Sequence, residues 1–259
     1  MKTQKKLWSA LAALCVATGT VAQPAYNYSK LQKEQLGRGV VAIRENPSDV
    51  VVSWRYLSSD PINTSFNVYR NGEKIAEVPH STGTFYRDTY SGNEKAVYTV
   101  KPVINGVETG KLNGNYTLPA NAPSGYIDIP LDRPAEGVTP SGQKYTYSPN
   151  DASIGDVDGD GEYEIILKWD PSNAHDNAHD GYTGNVYFDC YRLTGEKLWR
   201  IDLGHNVRAG AHYTQFMVFD LDGDGKAEVV MKTSDGTKDG KGKICLLYTS
   251  PSPRDAHES

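Results

Sequence analysis

The chain has 259 residues, is 38% hydrophobic and carries a formal charge of −5 at pH 7. That is enough material for one or two ordinary domains, with no basic footprint of the kind that holds nucleic acid. Seventeen tyrosines, four tryptophans and 25 glycines favour β-structure, because ring side chains suit a pleated, half-buried surface.

Residues 1–22 read as an export signal. MKTQKK is a basic start, and LWSALAALCVATGTVA is apolar but too short to span a membrane stably. Thr20 and Ala22 precede the polar QPAYNYSK, so cleavage is expected near Ala22 or Gln23. Leu14 before Cys15 is not the small residue that lipoprotein processing needs. The expected product is therefore secreted, periplasmic or extracellular, with no membrane span. Cys190, on the strand-like NVYFDCYRL, reads as a small buried side chain. No disulfide framework or thiol-metal site is expected.

Residues 36–120 are predicted to form a small β-sandwich of the fibronectin-III type. GVVAIRE, VVVSWRYL, TSFNVYRNGEKIAEV, TFYRDTY and AVYTVKPVINGVETGKL are short runs with alternating apolar residues. Asn71–Gly72 and Asn105–Gly106 are hairpin signals, since Asn and Gly accept the positive φ of a type I′ turn. Trp54 and Tyr98 are assigned to its core. The proline-bearing LPANAPSGYIDIPLDRPAEGVTP follows as a connector.

Residues 121–244 carry a repeated unit. GDVDGDGEYE at Gly155–Glu164 returns 64 residues later as FDLDGDGKAE at Phe219–Glu228, and each leads into an apolar strand. In the first copy Asp156, Asp158, Asp160 and Glu164 supply carboxylates at positions one, three, five and nine. In the second these are Asp220, Asp222, Asp224 and Glu228. A backbone carbonyl at position seven, from Glu162 or Lys226, would complete an oxygen-only set suited to calcium. Without a cation, carboxylates packed this closely repel one another. An EF-hand sensor is excluded, because its bidentate Glu sits at position twelve between helices. Repeated loop–strand units argue instead for successive four-stranded sheets of a β-propeller, with each ion pinning a turn. Two units cannot close a propeller, since each blade buries its faces against neighbours.

Between the loops the sequence is polar. Asn150 and Asp151 precede loop one; Asp170, Asn173, Asp176 and Asp180 follow its strand. His175 and His179 have the i,i+4 spacing of a zinc helix, but the surrounding Asn, Asp and Gly oppose a helix and no Glu follows the first His. Arg208 and His212, in NVRAGAHYTQ, are candidate substrate-binding residues near a strand start. At the end, CLLYTSPSPRD (Cys245–Asp255) back-translates to a transposase-type sequencing adapter, with which Glu258–Ser259 is also compatible. Residues 245–259 are therefore expected to be non-native, and the authentic sequence to run to about Ile244 before being cut short.

The runs YSPNDASIGDVDGDGEYEIILKWDPSN, DGYTGNVYFDCYRLTGEKLWRIDLG and RAGAHYTQFMVFDLDGDGKAEVVMKTSDGTKDGKGK closely resemble rhamnogalacturonan lyases of polysaccharide lyase family eleven. The likeness extends from about Leu36 to Lys243. It implies an all-β protein whose sandwich leads into an eight-bladed propeller with several structural calcium ions. It also implies cleavage of the rhamnose–galacturonate bond of pectic rhamnogalacturonan I by β-elimination, leaving a 4,5-unsaturated galacturonate end. Carried over by position, Asn150 and Asp170 contact substrate. One calcium site takes Asp156, Asp158, Asp160, Glu162 and Glu164; another takes Asp220, Asp222, Asp224, Lys226 and Glu228; Asp151 serves a further ion. The catalytic base is expected beyond these residues, so the chain by itself is expected to be inactive. The alternative is a non-catalytic, calcium-stabilised carbohydrate-binding or adhesion propeller, because acidic loops of this kind also occur in integrin-type repeats.

Overall fold

The computed structural model describes residues 35–110, 113–176 and 178–245. The expected signal, and the tail beyond Cys245, lie outside them. Among the described residues there are strands and one short 3-10 turn (His80–Thr82), and no α-helix.

The first part contains two sheets facing one another. One holds β1 (Val41–Asn46), β2 (Asp49–Ser53) and β5 (Phe85–Thr89), all antiparallel. The other is ordered β4 (Glu73–Val78), β3 (Ser65–Arg70), β6 (Ala96–Ile104), β7 (Val107–Glu108), with β8 (Gly114–Leu118) also paired to β6. Alternation along each strand sends every second residue inward. Val50 and Val52 from one sheet thus meet Phe66, Val68, Tyr98 and Val100 from the other in a single apolar cluster. Trp54 joins it, its ring 5.4 Å edge-on from Phe66. Tyr98 is wholly buried and donates its hydroxyl to Asp88 at 2.8 Å. Both hairpin turns form as their sequences require: Asn71 and Gly72 have φ of 50° and 85°, Asn105 and Gly106 52° and 78°.

One buried ion pair closes the end of this sandwich. Arg38 donates to both oxygens of Asp60, at 2.5 and 3.0 Å, and to the Arg55 carbonyl at 3.0 Å. Its guanidinium also stacks 5.1 Å from the Phe66 ring centre.

A small hairpin, β9 (Gly137–Val138) with β10 (Lys144–Tyr145), precedes the second part. There β11 (Tyr147–Gly155), β12 (Glu164–Pro171), β13 (Tyr187–Tyr191) and β14 (Lys197–Asp202) form a four-stranded antiparallel sheet in sequence order. The strand β11 is polar and contains Pro149, which cannot donate to a ladder. Pro149 is tolerated because β11 lies at the edge of the sheet. The sheet is covered on both faces. Leu167, Trp169 and Tyr191 pack with Tyr147 on one side, while Ile166 and Phe188 meet Val218 and Ala227 on the other. Asp189, fully buried, accepts from Trp169 Nε1 at 2.8 Å, Tyr191 at 2.6 Å and Arg200 at 2.6 Å, which fixes the first of these faces. A final hairpin, β15 (Phe216–Phe219) and β16 (Glu228–Met231), follows. Its outward residues Met217, Phe219 and Val230 are exposed.

Removing one member of a buried pair strands the other charge. Asp60→Ala should therefore cost about 3–5 kcal/mol, seen as a lowered urea midpoint; a change below about 1 kcal/mol would show that Arg38 is re-solvated in place.

Candidate metal centres and cleft

The two acidic loops occupy equivalent places, each joining the first strand of a sheet to the second. Loop 1 runs from β11 to β12 and loop 2 from β15 to β16. Their internal hydrogen bonds coincide residue for residue. Asp156 Oδ1 accepts the amides of Gly159 (2.7 Å) and Asp160 (3.1 Å), and its Oδ2 that of Gly161 (2.9 Å). Asp220 takes Gly223 (2.8 Å), Asp224 (3.1 Å) and Gly225 (3.1 Å) in the same way. Asp158 and Asp222 each accept the amide two residues on, as do Asp160 and Asp224. Glu164 accepts Val157 N at 3.1 Å and Glu228 accepts Leu221 N at 2.8 Å.

These bonds hold the carboxylates of Asp156, Asp158 and Glu164 so that one oxygen from each lies within 4.8 Å of the others, and likewise for Asp220, Asp222 and Glu228. A converging, all-oxygen donor set is what a hard divalent ion takes. Asp160 and Asp224 belong to the same two turns but fall outside those closest groups. At position seven the side chains point elsewhere. The Glu162 carboxylate accepts Gly39 N at 3.3 Å, and Lys226 lies over Gly159.

Loop 1 also joins the two parts of the chain. Gly37 N donates to Gly161 O at 2.5 Å, and Arg55 stacks 4.5 Å from the centre of the Tyr163 ring. Gly161 has φ +91°, and a Cβ there would lie 2.9 Å from Gly37 N, so both backbone conformation and close approach require glycine.

A separate cleft of about 380 Å3 opens beside β11 and β12, lined by Asn150, Asp151, Lys168, Asp170, His175 and Asp176 together with Gly210 and Ala211. Its shape comes from a bulge. Pro149 pairs with Trp169 and Ala152 with Leu167, so Asn150 and Asp151 together oppose the single residue Lys168. A two-against-one bulge re-aims side chains. Here it sets Asp151 against Lys168 Nζ at 2.7 Å. Lys168 is otherwise buried, an outlier in an apolar strand run that the sequence reading passed over. Asp170 has its carboxyl pushed up by burial and by Asp151, against the opposing charge of Lys168. Asp170 Oδ1 and His175 Nε2 are buried acceptors with no hydrogen-bond donor. His175 Nδ1 faces the Asn173 carbonyl at 2.9 Å and so must carry the proton in the neutral ring, leaving Nε2 as a lone pair.

The cleft thus gathers Asn150, Asp151 and Asp170, adding Lys168 and His175, which sequence reasoning had not assigned to it. Arg208 and His212 are placed nearby but are not among its lining residues. Arg208 donates to Tyr213 and to the His179 carbonyl, both at 2.7 Å, and His212 pairs with Asp176 at 2.8 Å. His175 and His179 lie in a loop with ring centres 6.2 Å apart.

Burial pushes the Glu164 carboxyl up to about 7, with Asp158 and Asp160 adding to the shift and the Val157 amide and Arg192 opposing it. A carboxylate raised on folding favours the fold below its unfolded value and loses that advantage as pH rises through the folded one. In chelator, Glu164→Gln should therefore raise the melting temperature above pH 7 relative to the unsubstituted chain, with the difference shrinking toward pH 4.5. A pH-independent difference in thermal melts would contradict this.

Two family descriptions match the chain: the rhamnogalacturonan I lyase beta-sheet domain over residues 31–115, and the C-terminal domain of rhamnogalacturonan lyase family 11 over 126–247. The Bacillus subtilis (strain 168) rhamnogalacturonan endolyase YesW is 51% identical over 94% of this chain and 38% of its own length. The exolyase YesX of the same organism is 54% identical over 83% of this chain and 34% of its own. The crystal structure of YesW superposes with a TM-score of 0.74, at 52% identity, over 87% of this chain and 38% of that one. The chain therefore spans little more than a third of the length of these relatives. With half-identity sustained across nearly all of it, the chain belongs to family 11 of the rhamnogalacturonan lyases.

Proposed function

We propose that this chain is the opening portion of a secreted, calcium-dependent lyase that cleaves the rhamnogalacturonan I backbone of pectin by β-elimination. In this reading residues 36–120 are a fibronectin-III-like sandwich, and residues 121–244 begin an eight-bladed propeller whose calcium loops pin the blades. The observation that carries it is the 51% identity to a rhamnogalacturonan endolyase over 94% of the chain. The cleft and loops supply the physical support.

The cleft suits a polyhydroxylated acid. Sugar hydroxyls are donors, and Asp170 Oδ1 and His175 Nε2 are buried acceptors lacking one. Asn150 offers an amide from the bulge, where its Oδ1 already accepts Asp151 N at 2.8 Å. Asp151 holds Lys168 in place, giving the cleft wall a fixed positive charge beside Asp170. In β-elimination a base removes the C5 proton of the uronate and the oxygen at C4 departs. Bound calcium near a uronate carboxylate supplies electrostatic relief for the charge that develops there. Asn150 and Asp170 orient the sugar in this reading, and the proton-abstracting base comes from residues beyond the described ones.

The test follows the ultraviolet absorbance of the unsaturated uronate released from rhamnogalacturonan I. A protein extended to the length of its relatives should release it, should stop in EGTA, and should lose at least about tenfold in kcat/KM on Asp170→Ala. The 259-residue chain should release none. Absence of product from the extended protein would overturn the lyase reading, and product formed equally well in EGTA would overturn calcium dependence.

A further inference from the structure

The two acidic loops share a backbone, and in loop 1 one side chain faces the carboxylates. Once the backbone amides are satisfied, each loop has oxygens left on its third, fifth and ninth residues. In loop 2 these belong to Asp222, Asp224 and Glu228. In loop 1 all three face one guanidinium. Arg192, just after β13, donates Nη2 to Asp158 Oδ2 at 2.5 Å and Nη1 to Asp160 Oδ2 at 2.6 Å. The same Nη1 lies 3.5 Å from Glu164 Oε1, and Nε lies 3.4 Å from Glu196.

We propose that Arg192 is a tethered cation for loop 1, holding the turn closed before metal arrives and opposing calcium when it does. The inference rests on the calcium reading of the loops. A guanidinium is always charged, and its fork matches carboxylate geometry, so it can neutralise a pair of Asp side chains without metal. The same charge repels a divalent ion brought to those oxygens. Loop 1 is also the loop that the sandwich leans on, through Gly37 N to Gly161 O and Gly39 N to the Glu162 carboxylate. A turn carrying that contact keeps it at low calcium when its counter-charge is covalently attached.

The proposal makes two predictions of opposite sign, which separates it from a packing role. Arg192→Gln should lower the melting temperature in EGTA, because three carboxylates lose their cation, yet tighten calcium at loop 1 by on the order of tenfold. A side chain needed only for packing would weaken both when removed. Arg192→Lys, which keeps charge without the fork, should lie between.

The experiment is calcium titration calorimetry with parallel thermal melts. It uses the 259-residue chain, its Asp222→Asn variant with loop 2 silenced, and Arg192→Gln in each background. The supporting result is a loop-1 event, seen with loop 2 silenced, that is strengthened by Arg192→Gln. If Arg192→Gln unfolds in EGTA, added calcium should restore it, and failure to do so counts against the proposal. Loop 2 binding normally while loop 1 is insensitive to Arg192→Gln would overturn this inference alone. No calcium at either loop in any variant would overturn it together with the calcium reading.

Discussion

Asp156 is the residue on which the second part of the chain turns. It is fully buried and accepts three backbone amides, which fold the loop between β11 and β12. Its own carbonyl accepts Ala227 N at 2.7 Å and so ties this turn to the next acidic loop. Gly161, held by its Oδ2, accepts Gly37 N from the sandwich. A charged acceptor in a buried turn makes stronger bonds than a neutral one, but leaving it unpaired costs several kcal/mol, on the order of 3–5. One carboxylate therefore sets the turn, its link to the following hairpin and its contact with the preceding sheets.

From that anchored turn the chemistry divides between two neighbouring places. On one side, carboxylates collect around a point where a divalent ion would offset their repulsion, as the Arg192 guanidinium does in loop 1. On the other, β11 leaves its register at Asn150–Asp151 and opens a polar cleft against β12 and the loop at Gly210. Strand β12 serves both. Glu164 at its start belongs to the carboxylate group of loop 1, while Lys168 and Asp170 further along reach the cleft.

How much of this was legible depended on how local each interaction is. Asn71–Gly72 and Asn105–Gly106 announce their turns because positive φ is a property of those residues themselves. The acidic loops are legible for the same reason, since the amides that the Asp156 and Asp220 carboxylates accept lie within five residues of them. The bulge at Asn150–Asp151 was not legible, because it is a relation between β11 and β12. Lys168 escaped notice as a cleft residue because its role appears only once the bulge places Asp151 opposite it. Arg192 lies 34 residues from Asp158, and only the β12–β13 pairing brings the two together. The substrate roles of Asn150 and Asp170 came from the likeness to the lyases; the structure adds that both line one cleft.

The account's central claim is that a cation completes two preformed turns and so stiffens what they join. Amide hydrogen exchange, read at Gly159, Asp160 and Gly161, at Gly223, Asp224 and Gly225, and at Gly37 across the contact, measures this most directly. With calcium, both sets of loop amides should slow relative to EGTA, and Gly37 should slow with the first set. Exchange in both loops that is unchanged by calcium would contradict the claim, as would protection of loop 1 that never reaches Gly37.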